Sequence, residues 1–146
     1  MKKIALIINF DKKGACSVSQ ELIDLVGDNA QFYADKETSA RLSGVIPLPE
    51  NELFSQCHIV AVLGGDGTII SAAKRCSEYN NILLGINIGH LGYLSMIESN
   101  NLSVVADMLL SDVVPYQKRT MLCVKVHSRG KETNVFHALN EVVLSR

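Results

Sequence analysis

The chain has no tryptophan, and only four tyrosines and four phenylalanines among 146 residues. A surface that stacks exposed bases needs aromatic rings, so single-stranded nucleic acid is a poor fit as a partner. Charge of one sign is also scarce: 14 basic residues stand against 15 acidic ones, a formal net of −1. That balance lacks the basic field that duplex binding requires. Hydrophobic residues make up 47% of the chain, yet no apolar run approaches the roughly 20 residues of a membrane-spanning helix. Lys2-Lys3 ahead of Ile4-Ala5-Leu6-Ile7-Ile8 has the outline of a secretion signal. Asn9 and Asp11 cut that run short and no small-residue cleavage site follows, so a buried first strand is the better reading. No C-x-x-C pair joins Cys16, Cys57, Cys76 and Cys123, and His58, His90, His127 and His137 lack metal-ligand spacing. Reduced, mostly buried thiols in a cytoplasmic protein are expected, with no protein-held metal.

What is present is alternation. Residues 3–9 form a nearly continuous apolar strand, the mark of a sheet covered on both faces. Val18, Leu22, Leu25 and Val26 fall on one helical face, with Ser17 as N-cap and Gly27 as stop. Residues 29–51 are less regular, with a strand near Gln31 to Ala34 and a Pro47-Leu48-Pro49 connector. A strand at 58–63, a helix to about Tyr79, a strand over Ile82 to Ile86 and a helix holding Leu102, Val105, Leu109 and Leu110 follow. This order predicts an α/β fold with a doubly wound, mostly parallel sheet over residues 1–115. After Pro115 the texture changes. Residues 121–126 and 133–138 flank a turn at Ser128-Arg129-Gly130-Lys131, and 139–144 offers a third strand. Residues 116–146 thus read as the first strands of an antiparallel β-rich domain too small to bury itself.

Two loops carry the chemistry. Gly64-Gly65-Asp66-Gly67-Thr68 joins the 58–63 strand to its helix, and Asn87-Ile88-Gly89-His90-Leu91-Gly92 follows the next strand. Both leave the carboxyl edge of the predicted sheet, where ligands of open α/β folds bind. Glycines there permit φ > 0 and close ligand approach, and the helix start behind them suits phosphate. The first loop matches neither G-x-G-x-x-G nor G-x-x-x-x-G-K-[ST], which excludes Rossmann and P-loop assignments. Asp66 would repel phosphate unless it accepts a proton or holds a metal. Lys12-Lys13 lies at the same edge within reach of phosphate, and reads as a solvated loop.

Gly64-Gly65-Asp66-Gly67 resembles the motif of a kinase superfamily that includes NAD kinases, diacylglycerol and sphingosine kinases, and phosphofructokinases. Asn87-Ile88-Gly89-His90-Leu91-Gly92-Tyr93-Leu94 resembles the NAD kinase pattern Asn-x-Gly-x-Leu-Gly-Phe-Leu, with Tyr93 in place of Phe. Ala138-Leu139-Asn140-Glu141 looks like that family's Asn-Glu/Asp pair. Together the three identify the NAD kinase family. The resemblance implies that Asp66 is the general base on the 2′-hydroxyl of the adenosine ribose of NAD as it attacks the γ-phosphate of ATP. It assigns Gly64, Gly65, Gly67 and Thr68 to the phosphate-facing turn, with Gly67 close against NAD. Asn87, Gly89, Leu91, Gly92 and Tyr93 would line the dinucleotide site, and Asn140 and Glu141 would bond the ribose or adenine edge. It also implies Mg²⁺ held largely by ATP oxygens, and a homodimer or homotetramer at full length. NAD kinases run to about twice this length, and their glycine/serine-rich segment has no counterpart here. The chain is therefore expected to be the N-terminal half, inactive alone. A lipid or sugar kinase of the superfamily, or a noncatalytic nucleotide-binding fragment, are the alternatives.

Overall fold

Side chains of a strand point alternately to opposite faces, and the apolar strands of this chain use both. The computed structural model describes residues 1–89, 94, 97–129 and 131–143. They fall into two compact units, Met1–Pro115 and Tyr116–Arg146. In the first, strands β1 (Lys2–Ile8), β2 (Ala30–Ala34), β3 (Val45–Pro47), β4 (Ile59–Gly64), β5 (Ile82–Asn87) and β6 (Ile97–Glu98) build one sheet. Its order is β3-β2-β1-β4-β5-β6, and every pairing is parallel. Helices α1 (Ala15–Val26), α2 (Lys36–Ser39), α3 (Glu50–Gln56), α4 (Asp66–Tyr79) and α5 (Leu102–Leu110) complete the unit.

The core has two halves, one on each face of the sheet. Ile4, Leu6, Phe32, Ala61, Leu63 and Ile86 pack with Leu22 and Val26 of α1 and Val105 and Leu109 of α5. Their strand neighbours Ala5, Tyr33, Val60 and Val62 pack with Leu53 and Phe54 of α3 and Ile69 and Ala72 of α4. The fold is therefore doubly wound, as the continuous apolar strands require. Strand order reverses between β1 and β4, which opens a crevice beyond their carboxyl ends.

Several local expectations change. Leu25 is 48% exposed, and the buried face of α1 runs through Ala15, Ser19, Leu22, Ile23 and Val26. Ser17 is not the N-cap: the helix starts two residues earlier, behind Gly14 at φ 85°. The Ser17 hydroxyl donates to the Gly14 carbonyl at 2.9 Å. Gly27 does end α1, at φ 54°. Residues 29–51 hold two strands and two short helices, and Pro47 closes edge strand β3, where a missing N–H costs no ladder bond. Asp35 caps α2, its carboxylate accepting from the N–H groups of Glu37 and Thr38. Only two of the four thiols are buried, those of Cys57 and Cys76.

In the second unit, β7 (Leu122–Ser128) and β8 (Lys131–Ala138) form an antiparallel hairpin with a register shift between Val126 and His127. Arg129 turns it at φ 51°. Residues 139–143 are not strand, so the expected third strand is not found there, and Leu144 lies outside the described residues. Leu122, Val126, Val135 and Phe136 are exposed. Two strands cannot bury both of their own faces.

Candidate active site

At the crevice, β1 ends in a turn organised by Asn9. The Asn9 N–H donates to Leu63 O at 2.9 Å, which ties the turn to β4. Its side-chain Oδ1 accepts from Asp11 N at 3.0 Å, and its carbonyl from Lys12 N at 3.2 Å. Lys12 O then accepts from Ala15 N at 3.1 Å, leading the chain into α1. On the β4 side the helix begins earlier than the apolar pattern predicts. Asp66, Gly67 and Thr68 form the first turn of α4, with Gly65 as N-cap. The Gly65 carbonyl accepts from Thr68 N at 3.0 Å and Ile69 N at 3.1 Å.

Gly64 serves clearance, and no glycine of this turn serves left-handed geometry. Gly64, Gly65 and Gly67 do not adopt positive φ, contrary to the expectation from the sequence. A Cβ on Gly64 would lie 2.5 Å from Thr68 Oγ1 and 2.8 Å from Thr68 Cβ, so α4 can start this close to β4 only with glycine there. One on Gly65 would come within 3.8 Å of Lys12 Cε and 4.0 Å of its Nζ. One on Gly67 would meet nothing within 4 Å. Gly89, by contrast, sits at φ 118°, where its conformational freedom is used.

These parts line an open cleft of about 690 Å³, walled by Ile8, Asn9, Phe10, Asp11, Lys12, Gly65, Asp66, Gly67, Thr68 and Ser71. Asn9 Nδ2 reaches across it to Thr68 Oγ1 at 3.5 Å. Phe10 carries the Arg41 guanidinium 4.6 Å above its ring, and Arg41 is paired with Glu37 at 2.6 Å. The Asp66 carboxylate is half-buried, and its Oδ1 accepts from Leu94 N at 3.2 Å. That bond links the first glycine run to the end of the second. Asn87 is buried and pairs in register with Gly64, whose carbonyl accepts from Ile88 N at 3.0 Å. The structure thus brings Gly64, Gly65, Asp66, Gly67, Thr68, Asn87 and Gly89 to one sheet edge. Leu91, Gly92 and Tyr93 lie outside the described residues. Asn140 and Glu141 are exposed residues of the second unit, just after β8.

Sequence reasoning missed Asn9, Phe10 and Ser71, whereas Lys12 is the exposed loop residue at the sheet edge that it expected. The available signal was the polar residue closing an apolar strand next to the glycine run's own strand. Among the described residues no three His, Cys, Asp or Glu side chains converge as a metal cluster would. The cleft's oxygen donors, including Asp11 and Asp66, suit a hard cation carried on phosphate oxygens, which needs only one or two carboxylates. Among the described residues, no helix is long and apolar enough to cross a membrane.

The family model of the ATP-NAD kinase N-terminal domain matches residues 4–114. The chain belongs to that family. Curated NAD kinases are similar along its whole length, among them those of Symbiobacterium thermophilum at 34% identity and Caldanaerobacter subterraneus subsp. tengcongensis at 30%. Each alignment covers 100% of this chain and 52% of the relative, so the chain spans about half the length of these NAD kinases. A crystal structure of yeast NADH kinase complexed with NADH superposes with a TM-score of 0.73 at 17% identity, over 96% of this chain and 47% of that one. At that identity the likeness speaks for the fold. It agrees with the α/β architecture and its antiparallel appendage.

Proposed function

We propose that this chain carries the catalytic-base part of an ATP-dependent NAD 2′-kinase. One observation supports the reading most: a carboxylate, Asp66, stands on the first residue of α4, inside a glycine-walled cleft at the switch point of the sheet. Phosphoryl transfer asks little covalent chemistry of the protein and much positioning and charge stabilisation. The N–H groups at the start of α4 suit phosphate oxygens, and Gly67 leaves space for close approach.

In this reading Asp66 takes the proton of the ribose 2′-hydroxyl as that oxygen bonds to the γ-phosphorus of ATP. The bond from that phosphorus to the bridging oxygen breaks, and ADP leaves with the electron pair. Gly64, Gly65, Gly67 and Thr68 shape the phosphate turn. Asn87 with Gly89, Leu91, Gly92 and Tyr93 lines the acceptor dinucleotide, and Asn140 and Glu141 bond its ribose or adenine edge. Mg²⁺ enters with ATP and offsets phosphate charge when bound. The setting is cytoplasmic, and the whole protein is a homodimer or homotetramer.

The test uses the complete gene product with ATP, Mg²⁺ and NAD, reading NADP by enzymatic cycling. NADP at background level rejects the reading. Asp66→Asn should lower turnover by about 10²–10⁴-fold, the usual worth of general base catalysis. That equals roughly 3–5 kcal/mol of barrier. A variant that turns over normally would remove the base assignment.

A further inference from the structure

The cleft has a polarity that its acidic residue conceals. Asp11 and Asp66 both line it, and two carboxylates alone would repel a polyphosphate. Lys12 is the one cation among the described residues of its wall. The Asn9 turn fixes the Lys12 backbone, and the end of the side chain lies over Gly65, close enough that a Cβ there would be in ordinary contact with it. Among the described residues the ammonium has neither an ion-pair nor a hydrogen-bond partner. It stands beside the N-terminal turn of α4, where Gly65 is the N-cap and its carbonyl accepts from Thr68 N and Ile69 N.

Strand order adds a direction. The sheet runs β1-β4-β5, so the α4 start that follows β4 lies between the loop after β1 and the loop after β5. Lys12 belongs to the β1 loop, and the Leu94 N–H that holds Asp66 belongs to the segment after β5. We infer that Lys12 anchors the terminal phosphates of the donor from the β1 side of the cleft, while the hydroxyl acceptor enters from the β5 side. The phosphate-binding part stands on the cleft itself; the assignment of donor and acceptor rests on the kinase reading above. A lysine suits this task because its ammonium is a compact charge that can follow a phosphoryl group as it moves.

Two measurements on the complete gene product test this. Inorganic tripolyphosphate is titrated calorimetrically into wild type, Lys12→Met, Lys12→Arg and Lys13→Met. Loss of a charge-assisted contact should weaken binding about 10–100-fold in Lys12→Met. Lys12→Arg should stay within about fivefold of wild type and Lys13→Met should be unchanged, since Lys12 lines the cleft and Lys13 does not. Equal binding by wild type and Lys12→Met, or no binding by wild type, overturns the inference. In steady-state kinetics, Lys12→Met should raise the KM for ATP by the same factor and leave the KM for NAD alone. A parallel rise in both constants also overturns it. Lys12-dependent tripolyphosphate binding without NADP formation would reject NAD as acceptor and leave Lys12 standing.

Discussion

Gly64→Ala should damage the fold before it damages any chemistry. The added Cβ would lie 2.5 Å from Thr68 Oγ1, 2.8 Å from Thr68 Cβ and 3.2 Å from Thr68 Cγ2. Rotating the threonine can relieve the first and third contacts, because Oγ1 and Cγ2 move with χ1. The second is different, since Cβ sits directly on the backbone. That backbone is held by the Thr68 N–H to Gly65 O bond at 3.0 Å, and Gly64 is held by its ladder register with Asn87. Either α4 shifts away from β4 or the strand end distorts. Overpacking of this kind costs about 1–3 kcal/mol, and the fixed Cβ contact places this case near 2–3 kcal/mol. With a urea slope of about 2 kcal/mol/M, the unfolding midpoint should fall by roughly 1 M. A double-mutant cycle with Thr68→Ala isolates the clash. Alanine removes Oγ1 and Cγ2 and keeps Cβ, so the double variant should recover part of the loss and not all of it. A Gly64→Ala protein within about 0.5 kcal/mol of wild type, or strictly additive double-variant energies, would refute the argument.

The neighbouring glycine should behave in the opposite way. Gly67→Ala meets nothing within 4 Å and replaces glycine inside a helical turn, so stability should hold or rise by up to about 1 kcal/mol in urea unfolding. NADP formation by the complete protein should nevertheless fall at least about tenfold if a ligand packs there, and unchanged turnover would deny that approach. For Asp35, burial raises the carboxyl pKa, but hydrogen bonds from Thr38 and Glu37 outweigh it and hold the group below its ordinary value. Its contribution is therefore present above the unfolded pKa of about 3.9 and lost as pH falls through the lower folded value. Asp35→Ala should cost about 1 kcal/mol at pH 7 by thermal unfolding, while Asp35→Asn keeps the cap and flattens this acid-limb dependence. Burial pushes the Cys57 thiol up to about 11 and the Cys76 thiol up to about 12. Iodoacetamide at pH 8, followed by peptide mass spectrometry, should label exposed Cys16 and Cys123 first. Early modification of Cys76 would contradict its place in the core.

Legibility followed the range of the interaction. Val60, Ala61, Val62 and Leu63 announce a strand buried on both faces because each residue in turn is apolar, and they alternate between the two cores. The glycine run after them is equally local and was readable. The start of α4 was not, because Gly67 is a poor helix former and the apolar period begins only at Ile69. A first-turn residue needs no earlier carbonyl, so Asp66 and Gly67 can be helical without any periodic signal. Leu25 misled for a related reason: it fits the heptad-like spacing, but Ile23 and Ser19 take the buried positions and leave Leu25 facing water. Asn9 and Lys12 are the larger lesson. Asn9 closes an apolar strand and Lys12 follows at the sheet edge, but a polar residue and two lysines after a strand also describe most surface turns. Their meaning comes from β1 pairing with β4, which brings Asn9 to Leu63 across a separation that no sequence window spans.

The strand order also resolves the conflict of an acid in a phosphate cradle. If Asp66 simply projected among the phosphates, its charge would oppose the ligand that the helix start attracts. Instead Oδ1 is tied to the Leu94 N–H, a group from the chain that follows β5, while Lys12 stands over Gly65 from the chain that follows β1. In the proposed reading, a base that must touch an acceptor hydroxyl yet not repel the donor belongs at the boundary between the two, and the α4 N-terminus lies between the loops after β1 and β5 in the order β1-β4-β5. The three glycines then divide the work by position. Gly64 lets the helix start against the strand, Gly65 lies beneath the end of the Lys12 side chain, and Gly67 leaves the approach open. Moving the carboxylate one residue along α4 would turn it by about 100° around the helix axis and away from Leu94. An Asp66→Gly/Gly67→Asp swap should therefore preserve charge and composition, yet lose activity in the complete protein as fully as Asp66→Asn. Retained activity would mean that a carboxylate anywhere on this turn suffices, and the positional argument would fail.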